Sequence, residues 1–191
     1  MVEELSKWTT LPIVSKANAG LPDPATGAYT VDADAFAQVS AELIPYGMKL
    51  VGGCCGTTPE FIKALKEHLK DKKYIQQNPD IPAAVCTPEK TVIIDEPRII
   101  GERINPTGKK KLKEALKTGD MDYILAQAAD QIRDGAEILD VNVGLPGIDE
   151  KEMMVEVVKE LQGITDVPLQ IDSTIPEVIE AALRVYNGKP I

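Results

Sequence analysis

The chain has 191 residues, 43% hydrophobic and 27% charged, with 14 glycines and 14 prolines, an ordinary balance for one or two globular domains. A net charge of −9 and a pI near 4.7, with no basic stripe, exclude a surface built for nucleic acid or for an anionic membrane. There is no run of 18 apolar residues and no charged-then-apolar leader, and three cysteines with two adjacent are no secreted disulfide framework, so a cytoplasmic setting is expected.

Residues 1–10 read as a weak helical tail with Trp8, and Leu11–Val14 as a buried strand ending at Asn18-Ala-Gly20. A Pro- and Gly-rich loop follows over 21–30. From Asp32 to Tyr46, Phe36, Val39, Leu43 and Ile44 recur at helical spacing, with Gly47 as the C-cap. Lys49–Val51 is a second short strand, and it runs into Val51-Gly-Gly-Cys-Cys-Gly-Thr-Thr-Pro59. Thr57 or Thr58 caps the next helix, which has Pro59 and Glu60 in its first turn and Phe61, Ile62, Leu65 and Leu69 on its apolar face. Residues 1–70 thus hold two strand-helix units.

Across 71–97, Pro79, Pro82, Pro88 and Pro97 interrupt any helix or central strand, which predicts an interdomain linker with one edge strand at Thr91–Ile94. A second series occupies 98–191. Ile99-Ile100 leads a strand into Gly101-Glu-Arg-Ile-Asn105, and Lys110–Lys117 is helical, with Lys109-Lys110-Lys111 read as its solvated start. Met121–Arg133 is amphipathic and stops at Gly135; Ala136–Val143 is a strand carrying Asp140 and Asn142; Glu150–Leu161 is a helix. Val167–Ile171 is a strand ending at Asp172, and Thr174-Ile-Pro-Glu177 reads as a capping box for a helix to Tyr186. The chain stops at Lys189-Pro-Ile191, where a fourth strand would begin.

Strands apolar on both faces that alternate with helices imply parallel sheets in an α/β fold. The proline-rich break favours parts of two tandem (β/α)8 barrels, both incomplete and therefore an excised piece, over a single doubly wound sheet of five strands. Such a piece is expected to expose apolar strand edges and to self-associate or be partly disordered.

Cys54 and Cys55 sit between glycines where a strand turns into a helix, a place where thiolates gain from the helix N-terminus and can grip a soft cation such as zinc. A buried small hydrophobe is the bland alternative. His68 falls inside the following helix, and Cys86 in the linker reads as a plain thiol. In the second series, Glu102 and Asn105, Asp140 and Asn142, and Asp172 stand at or just after the ends of strands, where ligands bind in parallel α/β folds; capping of the following helices is the alternative role.

The Gly-Gly-Cys-Cys-Gly turn, preceded by Asn18-Ala-Gly-Leu-Pro22, resembles the end of a homocysteine S-methyltransferase barrel. Ile100-Gly-Glu-Arg-Ile-Asn-Pro106, Leu139-Asp-Val-Asn-Val-Gly144 and Ile171-Asp-Ser-Thr174 resemble the start of the pterin-binding barrel of methyltetrahydrofolate methyltransferases. Their order resembles the cobalamin-dependent methionine synthase family over nearly the whole chain. That resemblance implies a methyltransferase of methionine biosynthesis, in which zinc activates homocysteine and the methyl group comes from 5-methyltetrahydrofolate by way of cobalamin. It implies zinc on three cysteines, two of them matched by Cys54 and Cys55 and the third on an earlier strand absent here, with Cys86 matching no ligand position. It further implies pterin contacts at Asp172 and at Asp140 and Asn142, with other ligands on later strands, and a cobalamin-binding domain as partner. Competing readings are a non-catalytic metal- or pterin-binding module and another pterin-barrel enzyme such as a dihydropteroate synthase relative. The Gly-Gly-Cys-Cys-Gly turn speaks against the latter.

Overall fold

In a computed structural model covering residues 1–191, a short helix α1 (Val2–Ser6) leads to β1 (Ile13–Ala17), which pairs in parallel with β2 (Met48–Gly53). Between them lies α2 (Ala33–Glu42), opened by the Asp32 carboxylate accepting from the Ala35 N–H at 2.9 Å. The apolar period runs on to Tyr46, but the helix stops at Glu42 and gives way to a 3₁₀ turn at Ile44–Tyr46. Pro45 is the cause: it has no N–H to donate and disfavours helical backbone before it. Gly47, at φ 82°, then turns the chain into β2.

After β2, α3 (Pro59–Leu69) packs on α2, and Phe36, Ala37, Phe61 and Leu65 bury a small core with Ala19. The Phe36 and Phe61 rings meet edge-on at 5.5 Å between centroids. Val51 turns toward this core, whereas Val14 and Leu50, register partners on the two strands, stay 63% and 60% exposed. These elements make up one unit, Met1–Ile81.

The second unit, Pro82–Ile191, starts with an antiparallel hairpin of β3 (Ala84–Cys86) and β4 (Thr91–Ile93). Three parallel strands follow in the order β5 (Ile100–Ile104), β6 (Ile138–Val141), β7 (Leu169–Ile171). Between and after them run α4 (Lys110–Thr118), α5 (Met121–Arg133), α6 (Glu150–Ile164) and α7 (Pro176–Val185). Leu139, Val141, Leu169 and Ile171 belong to the same core as Leu116, Ile124, Met154 and Leu161 of the helices. Burying each of these large side chains is worth roughly 1.5–3 kcal/mol.

The alternate residues of β6 face the other way. Ile138 packs with Val85 and Val92, so the hairpin covers part of the sheet face that the helices leave open. Cys86 and Lys189 exchange backbone hydrogen bonds at 2.9 Å, and the Tyr186 hydroxyl donates to the Cys86 carbonyl at 3.0 Å while accepting from the Leu169 N–H at 3.4 Å. Gly188 is obligatory beside this bridge, because a Cβ there would strike the Cys86 carbonyl. Arg98 fastens the hairpin's exit: its Nε donates to the Ile93 carbonyl at 2.9 Å and its Nη1 to Glu137 at 3.0 Å, and Glu137 also accepts from the Ile99 N–H at 3.0 Å. That backbone hydrogen bond, with help from Arg98, holds the Glu137 carboxyl below the ordinary glutamate range. Ile191 then extends the ladder, pairing with Leu169 and Ile171 along the far edge of β7.

The fold is therefore α/β with parallel sheets, one of two strands and one of three, and neither sheet closes on itself. The single five-stranded sheet is ruled out, since β2 and β5 lie in different sheets and different units. In place of one edge strand at Thr91–Ile94, the proline-rich stretch contains the β3–β4 hairpin; Pro82 and Pro88 fall outside its paired residues, where no ladder donor is lost. The capping box at Thr174 does not form: α7 begins at Pro176 with Ile175 as its N-cap and no side-chain cap, while the Ser173 hydroxyl accepts from the Ile175 N–H at 3.1 Å. No helix is long and apolar enough to cross a membrane.

Tyr186→Phe removes the hydroxyl that serves both the hairpin and β7 and strands the Leu169 N–H in a buried place. It should destabilise the second unit by about 1–2 kcal/mol, measured as a shifted urea midpoint at unchanged m-value; an unshifted midpoint would show that the hydroxyl carries nothing.

Candidate functional sites at the strand ends

The first site is the turn that leaves β2. Its backbone is fixed from several sides: Cys54 N–H donates to the Ala17 carbonyl at 2.8 Å, Ala19 N–H to the Cys55 carbonyl at 3.0 Å, and Cys55 N–H to Asn18 Oδ1 at 3.1 Å. The Cys54 carbonyl accepts from the Thr57 hydroxyl at 2.7 Å. Gly56, at φ 78°, lies under the Tyr29 ring, so no side chain fits there. With the backbone so held, both thiols are exposed, and their sulfurs stand 4.0 Å apart. Two thiolates on one tetrahedral zinc would stand roughly 3.8 Å apart, given Zn–S of about 2.3 Å. The pair therefore fits two positions of such an ion. The Tyr29 phenol is pushed up by burial and by the neighbouring Cys55 and Cys54 sulfurs.

No third ligand joins them. His68 Nε2 lies 2.8 Å from Asp34 Oδ1, tying α3 to α2. Cys86 belongs to the hairpin of the second unit. Nowhere in the chain do three or more His, Cys, Asp or Glu side chains converge in a metal-holding group. Asn18 and Tyr29 shape this turn, and sequence reading gave neither a role in it. Asn18 was signalled only by its place in the Asn18-Ala-Gly-Leu-Pro22 motif, just past the strand that lies beside the cysteine strand, and Tyr29 by nothing local.

The second site lies on the open face of the three-stranded sheet. Asp140 and Gln170 are register partners on β6 and β7, and Gln170 Nε2 donates to Asp140 Oδ1 at 2.6 Å. Asp140 is only 4% exposed. Burial pushes its carboxyl above the ordinary aspartate range; the Gln170 hydrogen bond opposes this, while the negative charges of Asp172 and Glu102 add to it. Just past the strand ends, Asn142 Nδ2 donates to Asp172 Oδ2 at 2.9 Å, and Asn142 Oδ1 accepts from the Gly144 N–H at 2.9 Å. These contacts join Asp140 to Gln170 and Asn142 to Asp172 at one edge of the sheet.

Glu102 stands on β5, where two residues, Glu102 and Arg103, oppose the single Asp140. The Gln131 side chain fills this bulge: its Oε1 accepts from the Arg103 N–H at 2.6 Å. The Glu102 carboxylate is exposed and pairs with Lys109 at 3.1 Å; the same ammonium donates to the Glu102 carbonyl at 2.9 Å. Lys109 is thus folded back onto β5 and is not simply a solvated helix start. Asn105 goes elsewhere, its Oδ1 closing a local turn with the Thr107 N–H at 3.0 Å. Sequence reading missed Gln170, Lys109 and the pair Ser173–Glu150, whose hydroxyl and carboxylate lie 2.5 Å apart and tie the loop after β7 to the first turn of α6. Gln170 could have been found from the strand period, which puts it on the face of Asp140; the other two are contacts with no local signature.

A raised Asp140 carboxyl has a signed effect on stability. Below the ordinary aspartate value, folded and unfolded chains are both protonated. As pH rises past it, the unfolded chain releases its proton first, so stability declines until the folded carboxyl ionises as well. Asp140→Asn should flatten this decline, measured as urea midpoints across the mildly acidic range; an unchanged pH profile would contradict the buried-carboxylate account.

A family model described as "Homocysteine S-methyltransferase" matches residues 1–69, and one described as "Pterin binding enzyme" matches residues 101–191. The chain is 32% identical over 198 residues to the methionine synthase of Mycobacterium tuberculosis and 31% identical over 203 residues to that of Mycobacterium leprae. Each alignment covers 98% of this chain and 16% of the relative, so the chain spans about a sixth of the length of the relatives it matches. With two domain types in this order, and nearly all of its own length aligned with one stretch of those relatives, the chain is similar to a fragment of methionine synthase.

Proposed function

We propose that residues 1–70 are the last part of a homocysteine-binding zinc barrel, 71–97 the passage between domains, and 98–191 the first part of a pterin-binding barrel, both of (β/α)8 type. The activity to which they contribute is methyl transfer from 5-methyltetrahydrofolate, by way of cobalamin on a further domain of the parent enzyme, to the sulfur of homocysteine in the cytoplasm. One observation carries this reading: in each unit the candidate groups sit at the carboxyl ends of parallel strands, Cys54 and Cys55 after β2, and Asp140, Asn142 and Asp172 at or after β6 and β7. Ligands of parallel α/β folds bind at those ends.

Cys54 and Cys55 would hold two of the zinc positions, with the third thiolate supplied from outside this chain. Zinc would act there as a Lewis acid that lowers the pKa of a substrate thiol. The turn's part is to hold both sulfurs on one side of a backbone anchored to β1, so that binding spends little ordering entropy. In the second unit, Asp172 and Asn142 together offer a carboxylate oxygen and an amide to the alternating donors and acceptors of a pterin edge. Asp140, buried one tier deeper with Gln170, would accept from a ring N–H when ionised. Glu102, held by Lys109, flanks the same edge, and Asn105 borders it without reaching in.

Two measurements test this. The reduced chain should take up at most one zinc, released readily to a chelating dye because only two thiolates hold it, and Cys54→Ser/Cys55→Ser should take up none; equal zinc in both would rule out the turn. Titration calorimetry with 5-methyltetrahydrofolate should show binding that weakens at least about tenfold in Asp172→Ala, the loss of one charge-assisted hydrogen bond. No binding to the parent chain, or equal binding by the variant, would overturn the pterin assignment.

A further inference from the structure

Gln170 leaves β7 on the face opposite to Leu169 and Ile171, which join the helices in the core, and the parallel register sets it directly beside Asp140. The Asp140 carboxylate receives one hydrogen bond, from Gln170 Nε2 to Oδ1 at 2.6 Å, and forms no ion pair. Lys109 is committed to the Glu102 carboxylate and carbonyl, and acts on Asp140 through its charge alone. Asp140 Oδ2 accepts nothing from residues 1–191. Since no buried side-chain polar atom lacks a partner, this oxygen keeps contact with the open face of the sheet. We infer that Gln170 is a positioning residue: by holding Oδ1 it fixes the plane of the Asp140 carboxylate and turns Oδ2 toward the ring N–H of the pterin. The inference rests on the pterin site proposed above and adds to it a residue that acts through Asp140.

The residue type suits this role. An amide donates to a carboxylate without bringing a charge of its own. An ammonium or guanidinium in its place would form a buried ion pair and compete with the ring N–H for the same oxygens. An apolar side chain would leave Oδ1 desolvated and favour the protonated acid, which presents a donor where the ring needs an acceptor.

The charged groups around Asp140 are Glu102 on β5, Lys109 ahead of α4 and Asp172 after β7, while the helices behind the sheet meet β6 through apolar side chains. Burial favours the protonated acid most, and the Gln170 hydrogen bond opposes it; the Asp172 and Glu102 charges add to the effect of burial, and the Lys109 charge subtracts from it. Removing the Gln170 donor takes away the larger of the two influences that keep the carboxylate ionised. Asp140 should then hold its proton to higher pH, and binding that needs the carboxylate should fail earlier as the pH falls.

The test uses the full chain with and without folate. Gln170→Met keeps the length of the side chain and removes the donor; Gln170→Asn keeps an amide but draws it back by one methylene, and serves the same comparison if the methionine variant does not fold by circular dichroism. In the ligand-free chain labelled with ¹³C-aspartate, the carboxyl signal that disappears in Asp140→Asn should titrate at higher pH in the Gln170 variant than in the parent. In calorimetry, 5-methyltetrahydrofolate should bind the variant about tenfold more weakly in the mildly acidic range, with the difference shrinking as the pH rises. The ligand's own titration is common to both proteins and cancels in the comparison. A parent chain that binds no folate would overturn the pterin assignment and this inference with it. A parent chain that binds, beside a variant with an unmoved Asp140 titration or a loss of affinity equal at every pH, would overturn the role of Gln170 alone.

Discussion

In β6 the side chains of Ile138 and Asp140 leave the strand on one face, two residues apart, while Leu139 and Val141 leave on the other, and much of the second unit follows from that alternation. The period of two in a parallel strand commits Leu139 and Val141 to the helices. It equally commits Asp140 to the opposite face, where the register of β7 brings Gln170 alongside. A carboxylate in that place is poorly solvated and bears a raised pKa, a local cost to folding that the core on the other face offsets. Ile138, two residues earlier, finds the hairpin in place of a polar partner. One strand thus sorts its own residues into packing and chemistry.

The first unit shows the same rule with a smaller core. Val51 faces the helices, while Val14 and Leu50 stand in the open. Two strands and two helices bury little apolar surface, and one sheet face has no cover, so stability there depends on a few contacts such as the Phe36–Phe61 pair. The turn bearing Cys54 and Cys55 is nonetheless well anchored, because backbone hydrogen bonds to β1 do not require the sheet to be complete.

The residue pattern disclosed the five strand-helix units, two in the first unit and three in the second, because long apolar periods such as those of α3, α5 and α6 and short apolar runs such as those of β6 and β7 are decided locally. It failed where a decision belonged to distant partners. The β3–β4 hairpin looked like linker because its strands are three residues long and bounded by prolines; its justification is Ile138 and Lys189, far along the chain. Thr174 has the spacing of a capping box, yet Ser173 takes up the local N–H and ties itself to Glu150. At the candidate sites, Cys54, Cys55, Asp140, Asn142 and Asp172 stood out by chemistry and position at strand ends. Lys109 did not, since a lysine run gives no sign of which ammonium folds back on Glu102.

The hairpin's dependence on the end of the chain also has a consequence for synthesis. Tyr186, whose hydroxyl holds the Cys86 carbonyl, lies 100 residues downstream of it. At a translation rate of about 5–20 residues per second, the hairpin emerges roughly 5–20 s before the segment that secures it has been made. During that interval β3 presents an unpaired edge, and Val85 and Val92 wait for Ile138. The short strands and the flanking Pro82 and Pro88 limit what such an edge can recruit, which gives the prolines a use during biosynthesis as well as in the finished fold.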